Sequence, residues 1–246
     1  MEEIRRSEPL QFVKPYLQPL KIGAVNLKSP FALAPMAGMT DTAFRRLVKN
    51  RGGCGLVVTE MVSSEGLVRG IDRTLDYAEY TEEERPISIQ IFGGNPGKMA
   101  AAAQVVERMG ADIVDVNMGC PVRKIAKHQA GCSLMRSPAH AAAVIGAMTS
   151  AVSIPVTVKT RIGIDDRDSY GELIDFVATV AESGCDTFIF HARKAWLQGL
   201  SPKENRDIPP LDYDRVRLLK KRCPELEILL NGGLKTVDEM QAAMQA

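Results

Sequence analysis

Seven short apolar runs recur along this chain, and their spacing limits what it can fold into more than any other feature. They are FALAPM (31–36), LVVTEM (56–61), ISIQIF (87–92), IVDVNM (113–118), VTVKT (156–160), TFIFHA (187–192) and EILLN (227–231). Each is continuous rather than alternating, the pattern of strands buried on both faces. Segments with helical spacing lie between them, over 41–50, 97–109, 137–151, 169–183, 212–222 and 236–246. The connection through 62–85 is less regular and is expected to hold a short helix and a loop. Strands that alternate with helices build a parallel sheet with right-handed crossovers.

Strand starts fall roughly 25 to 45 residues apart, near the repeat of a TIM-type (β/α)8 barrel, and such barrels often run about 250 residues. The 246 residues present therefore suit one large α/β domain. Seven strand candidates rather than eight predict a barrel without its last strand and helix. Residues 1–30 are expected to be an N-terminal lead and a hairpin, punctuated by Gly23 and Pro30, with the barrel over 31–246. Asp41 is placed to cap the first helix, and Pro138 to open another at a first-turn position.

Apolar residues make up 45% and charged residues 25%, ordinary for a globular protein, and the formal charge is +1. A polyanionic partner would have to meet a local basic patch rather than the net charge. The five cysteines are odd in number and none forms a CxxC pair, so free thiols in a reducing cytoplasm are expected. The N-terminus MEEIRRSEPL lacks an apolar signal core, and no apolar run approaches the about 20 residues of a membrane span.

In a barrel, the residues at the C-terminal strand ends converge on one mouth. Here those ends carry Pro35 and Met36, Glu60, Gln90, Asn117, Lys159 and Arg161, His191 and Arg193, and Asn231. Strands buried on both faces avoid such groups unless each finds a partner. Gln90 offers both donors and an acceptor, which suits the pyrimidine edge of an isoalloxazine ring. Lys159, among apolar neighbours, calls for an anion such as the N1/O2 locus of a reduced flavin, or is a Schiff-base lysine. His191 can donate to a flavin carbonyl or phosphate, or can be a hydrogen-bonded core histidine. Asn231-Gly232-Gly233 is a loop whose backbone can approach a phosphate closely.

Cys120 is the sharpest single feature. It lies in NMGCP (117–121), just past a strand end, where Gly119 and Pro121 fix a tight turn. A thiol with an ordinary pKa near 8.5 is mostly protonated at neutral pH and can serve as a general acid. The other readings are a nucleophile, which needs a nearby base, and an inert thiol. Cys120, His128 and Cys132 do not have the spacing of a standard zinc site, and no metal is expected.

At these residues a family resemblance emerges. APMAGMTD (34–41), TEM (59–61), QIFGG (90–94), DVNMGCP (115–121), AGCSLM (130–135), PVTVKTRIG (155–163), HARKAWLQGLSPKENRDIPPLDY (191–213) and NGG (231–233) resemble the tRNA-dihydrouridine synthases. The first half is similar to the B-type bacterial branch and the second half to the A-type. The resemblance implies FMN at the barrel mouth, NADPH as reductant, hydride delivery to C6 of a tRNA uridine, and protonation of C5 by Cys120. It implies that Pro35, Met36 and Ala37 lie against the flavin. Gln90, Lys159 and His191 would hold its ring and ribityl chain, and Asn231, Gly232 and Gly233 its phosphate end. Asn117, Arg193, Lys203 and Arg206 would contact RNA, whose uridine must be flipped into the pocket. It also implies that the eighth strand and a C-terminal helical domain are missing, and a monomer is the expected state. Two alternatives share part of this pattern: a flavin-dependent reductase of a free pyrimidine-like molecule, and a non-catalytic tRNA-binding barrel fragment.

Overall fold

A computed structural model describes residues 20–245; the expected N-terminal lead lies mostly outside them. Two short strands, β1 (Leu20–Ile22) and β2 (Val25–Leu27), pair antiparallel around Gly23, whose φ of 53° suits the tight turn. Beyond the hairpin the chain alternates strand and helix. The strands are β3 (Ala32–Leu33), β4 (Leu56–Val58), β5 (Val62–Ser63), β6 (Ile87–Phe92), β7 (Ile113–Met118), β8 (Val156–Arg161), β9 (Thr187–His191) and β10 (Glu227–Asn231). All pair in parallel, in the spatial order β3-β4-β6-β7-β8-β9-β10, with β5 added beside β6. This sequential order is that of a β/α barrel, and among the described residues β3 and β10 do not pair, so the sheet stays open between them. The first run, read as a strand over 31–36, pairs only at Ala32 and Leu33. Pro35 has no amide hydrogen to continue the ladder.

The main helices are α1 (Thr42–Arg51), α4 (Pro96–Arg108), α6 (Pro138–Thr149), α7 (Tyr170–Ala181), α9 (Tyr213–Arg222) and α10 (Val237–Gln245). Asp41 caps α1, accepting from the Phe44 amide at 2.8 Å, and Pro138 opens α6. The irregular 62–85 connection holds two short helices, α2 (Ser64–Val68) and α3 (Asp72–Ala78), and a 3-10 turn at Glu82–Glu84. Two further short helices, α5 (Arg123–Ala126) and α8 (Glu204–Asp207), lie in loops beyond strand ends. No helix of the described residues is long and apolar enough to cross a membrane.

Strand alternation divides the sheet into two faces. Ile89, Ile91, Val114, Val116, Met118, Val158, Phe188 and Phe190 point outward into the core shared with the helices. The inward positions on the same strands are Ser88, Asp115, Thr157, Lys159 and Ile189, and they line an interior cavity. The hairpin contributes Ile22 and Leu27 to a second cluster with Leu56, Val58 and Ile113. The outward face thus holds the sheet together and the inward face is left for chemistry.

Candidate active site

The cavity between the open sheet edges measures about 600 Å³, inside the about 300–1,000 Å³ typical of ligand pockets. Pro35 and Met36 line it from one edge, Asn231, Gly232 and Gly233 from the other, and Met240 and Met244 of α10 lie across it. Asp115 and Lys159 stand on its inner wall. Ala37 is exposed on the next turn of the loop, where the Gly38 amide donates to Glu60 Oε2 at 2.6 Å.

Asp115 is a functional group of this wall that no sequence motif singles out. Its carboxylate is buried, accepting from Gln90 Nε2 at 2.6 Å and from Thr157 Oγ1 at 2.6 Å. Burial pushes its pKa up, while these two donors and the positive Lys159 oppose that shift. Lys159 shifts the other way: burial lowers its pKa, and Asp115 holds it up. The two charges therefore support each other beside the cavity, and Lys159 has an anionic neighbour within the protein as well as a cavity to face.

The hydrogen bonds continue from Asp115 toward Cys120. Gln90 Oε1 accepts from Asn117 Nδ2 at 2.8 Å. Asn117 Oδ1 in turn accepts the amides of Gly119 at 3.2 Å and Cys120 at 2.9 Å. Two further struts hold this turn: Arg161 Nε donates to the Gly119 carbonyl at 3.1 Å, and the Cys132 amide to the Cys120 carbonyl at 3.0 Å. Cys120 does not itself line the cavity; its link to the inner wall runs through Asn117 and Gln90. Burial raises the Cys120 thiol pKa, with the Arg161 guanidinium opposing in part, so the thiol keeps its proton at neutral pH.

His191 sits in register with Asn231 on one side and Arg161 on the other. Burial and the neighbouring cations Arg161, Lys159, Arg193 and Arg206 depress its pKa to about 2, so the imidazole is neutral. A Cβ on Gly232 would run into the His191 ring, and one on Gly233 would meet the end of the Leu211 side chain. Both glycines have positive φ, 107° and 74°. The backbone at both positions, and the His191 ring at Gly232, thus favour glycine independently of any phosphate.

The insertion after β9 folds back over the Cys120 turn. Asn205, fully buried, accepts the Trp196 amide at 2.7 Å and donates to the Trp196 carbonyl at 2.8 Å. Its own carbonyl accepts from Arg161 at 2.8 Å. Arg123 of α5 joins the two loops by donating to the Leu197 carbonyl at 3.0 Å. Arg193 directs its guanidinium to the carbonyls of Pro209 and Asp207, whereas Lys203 and Arg206 are exposed. The structure thus gathers Pro35, Met36, Lys159 and Asn231–Gly233 around one cavity and ties Gln90, Asn117 and Cys120 into one chain of bonds. Arg193, Lys203 and Arg206 do not line that cavity, although Arg193 and Arg206 lie near enough to His191 to lower its pKa. Asp115 and Asn205 have a signal in the sequence: one is a carboxylate in a largely apolar strand, the other an amide within the SPKEN segment.

Comparison with known proteins bears on the fold and the family. A structure of a 2-naphthoyl-CoA reductase complex superposes with a TM-score of 0.67 at 15% identity, covering 94% of this chain and 48% of that one. Histamine dehydrogenase from Rhizobium sp. 4-9 superposes with a TM-score of 0.54 at 14% identity. At such identities the likeness is one of fold. Among sequences, the tRNA-dihydrouridine(20/20a) synthase of Shewanella oneidensis is 46% identical over 220 residues, 89% of this chain and 65% of that protein. The Vibrio cholerae protein of the same name is 44% identical over 215 residues, 87% of this chain and 65% of its own length. The chain thus spans about 65% of the length of these relatives. The family model described as dihydrouridine synthase (Dus) matches residues 32–246, and the chain belongs to that family.

Proposed function

We propose that this chain is the barrel portion of an FMN- and NADPH-dependent tRNA-dihydrouridine synthase that reduces the C5=C6 bond of uridine 20 or 20a. The position proposed is the one in the names of its relatives. The observation that carries the reading is the continuous path of hydrogen bonds from the wall of the cavity to the backbone of the Cys120 turn.

The residues present fit a flavin. The cavity is large enough, its wall carries the cation Lys159 beside the acceptor Asp115, and Asn231–Gly233 closes one end. Pro35, Met36 and Ala37 would lie against the ring. Gln90, Lys159 and His191 would hold its polar edge and ribityl chain, and Asn231, Gly232 and Gly233 the phosphate end. When bound, FMN supplies the hydride for C6. Cys120 supplies the proton for C5: burial keeps the thiol neutral, and the bonds from Asn117, Arg161 and Cys132 hold its backbone still. Fixing a donor before the substrate arrives removes an orientational cost from the reaction. Neutral His191 can donate or accept but adds no charge. Asn117 at the turn, together with Arg193, Lys203 and Arg206, would meet the flipped nucleotide and the phosphates around it. The cytoplasm, where tRNA is found, is the proposed location.

The test is Cys120→Ala, assayed for dihydrouridine in tRNA by mass spectrometry. The variant is expected to keep the yellow chromophore of the wild-type chain and to lose tRNA reduction. A fully active variant would overturn the assignment of the proton donor.

A further inference from the structure

We propose that Asp115 is a positioning residue that sets the direction of the hydrogen-bond relay Asp115–Gln90–Asn117–Cys120, and through it the placement of the Cys120 turn. The inference rests on the reading of Cys120 as the proton donor only for its relevance to catalysis; the positioning itself is a property of the free chain.

Direction is the central point. An ionised carboxylate only accepts hydrogen bonds, whereas a side-chain amide has an accepting and a donating end that can exchange by rotation. Asp115 Oδ2 faces Gln90 at 2.6 Å, so Gln90 must turn its nitrogen toward it. Gln90 Oε1 is then left to accept from Asn117 Nδ2 at 2.8 Å. Asn117 must in turn aim its oxygen away from Gln90, where it receives the Gly119 and Cys120 amides. If Gln90 were reversed, Asn117 would reverse with it. Its NH2 group would then confront two backbone N–H groups, donors facing donors, and the turn would lose its acceptor. Asp115 itself cannot reverse. Thr157 Oγ1 donates to its other oxygen at 2.6 Å, and Lys159 supplies the opposing charge. Both amides are thus set from one end of the relay. Gln90 is buried, so water does not compete for its amide.

The direction requires an acceptor at position 115 rather than a charge, and this separates positioning from a merely structural or electrostatic role. Asp115→Asn keeps an oxygen toward Gln90, because the Thr157 hydroxyl can accept from the new amide nitrogen. Asp115→Ala removes the acceptor, and Gln90→Leu cuts the relay at its middle. The readout is the rate of Cys120 alkylation by iodoacetamide in the purified chain, followed by peptide mass spectrometry. Cys223, partly exposed at the end of α9, reports general loosening in the same sample. Asp115→Ala and Gln90→Leu are each expected to speed Cys120 alkylation about fivefold or more, as a local opening would, with Cys223 unchanged. Asp115→Asn should stay within about twofold of wild type, and Asp115→Ala should add nothing in a Gln90→Leu background.

The proposal is overturned if Asp115→Asn labels as fast as Asp115→Ala, if the effects of Asp115→Ala and Gln90→Leu add, or if Cys223 accelerates equally. Should Asp115→Ala fail to fold, the comparison of Gln90→Leu with Asp115→Asn decides: wild-type labelling in Gln90→Leu refutes the relay. None of these readings depends on tRNA turnover, so their failure is distinguishable from that of the synthase assignment.

Discussion

The side-chain oxygen of Asn117 accepts the amides of both Gly119 and Cys120, at 3.2 and 2.9 Å, from three residues before the thiol. A single side chain thereby turns the end of β7 into a fixed platform. Asn117→Ala leaves both N–H groups without their acceptor in a half-buried turn. Such a loss costs about 1–3 kcal/mol, to be read as a lower urea midpoint with an unchanged slope. If the proposed function holds, dihydrouridine formation should fall as well, because the thiol is no longer held. An unchanged midpoint would show that the turn is stable without Asn117.

A second prediction concerns the loop carrying Pro35, Met36 and Ala37. Arg45 of α1 is fully buried and donates to Glu84 at 2.6 Å, to the Thr40 carbonyl at 2.6 Å and to the Glu79 carbonyl at 2.6 Å. Thr40 in turn holds Met36, whose amide donates to its hydroxyl at 3.0 Å. Removing one partner of a buried ion pair typically costs about 3–5 kcal/mol, because the remaining charge is stranded. Glu84→Gln should therefore be strongly destabilised in thermal unfolding. Arg45→Met/Glu84→Leu together should lose less than either single change. A double variant less stable than either single variant would contradict this account.

The pH dependence of stability should carry the signature of His191. Its folded pKa is depressed from the ordinary 6.5 to about 2 by burial among cations. Below pH 6.5 the unfolded chain takes up a proton that the folded chain refuses. Stability from this group is complete above pH 6.5 and is lost as the pH falls toward 2, by up to about 1.4 kcal/mol per pH unit. His191→Asn should flatten that slope between pH 6.5 and 4 in chemical denaturation. Parallel curves for the two proteins would mean that His191 is not held neutral.

Gly232→Ala tests the contact between the β10 loop and His191. The added methyl group would run into the imidazole, in a backbone conformation with φ 107° that an alanine rarely adopts. Strain of this kind costs about 1–3 kcal/mol. The variant should melt earlier and lose flavin absorbance, since His191 and the loop both border the proposed phosphate end. An alanine variant with wild-type stability and spectrum would show that the loop relaxes freely.

Much of this fold is legible in the sequence for a plain physical reason. A strand buried on both faces must be continuously apolar, so the runs at 87–92, 113–118 and 187–192 announced β6, β7 and β9 with little competition. Helix ends were readable where a local rule acts, as at Asp41 and Pro138. The first run was overextended because Pro35 stops the ladder just where the apolar composition continues. Between β4 and β6, the short helices α2 and α3 have too few turns to show a period.

Local pattern and chain direction alone fix the alternation of strand and helix, the sequential parallel order it implies, and which polar residues stand at strand ends. How those residues meet is a matter of folding. Asp115 and Gln90 are 25 positions apart, and Arg45 and Glu84 39, yet each pair is in hydrogen-bond contact. The depressed pKa of His191 and the raised pKa of the Cys120 thiol are likewise products of the folded chain. Burial and the fields of neighbouring charges arise only once separate strands have been brought side by side.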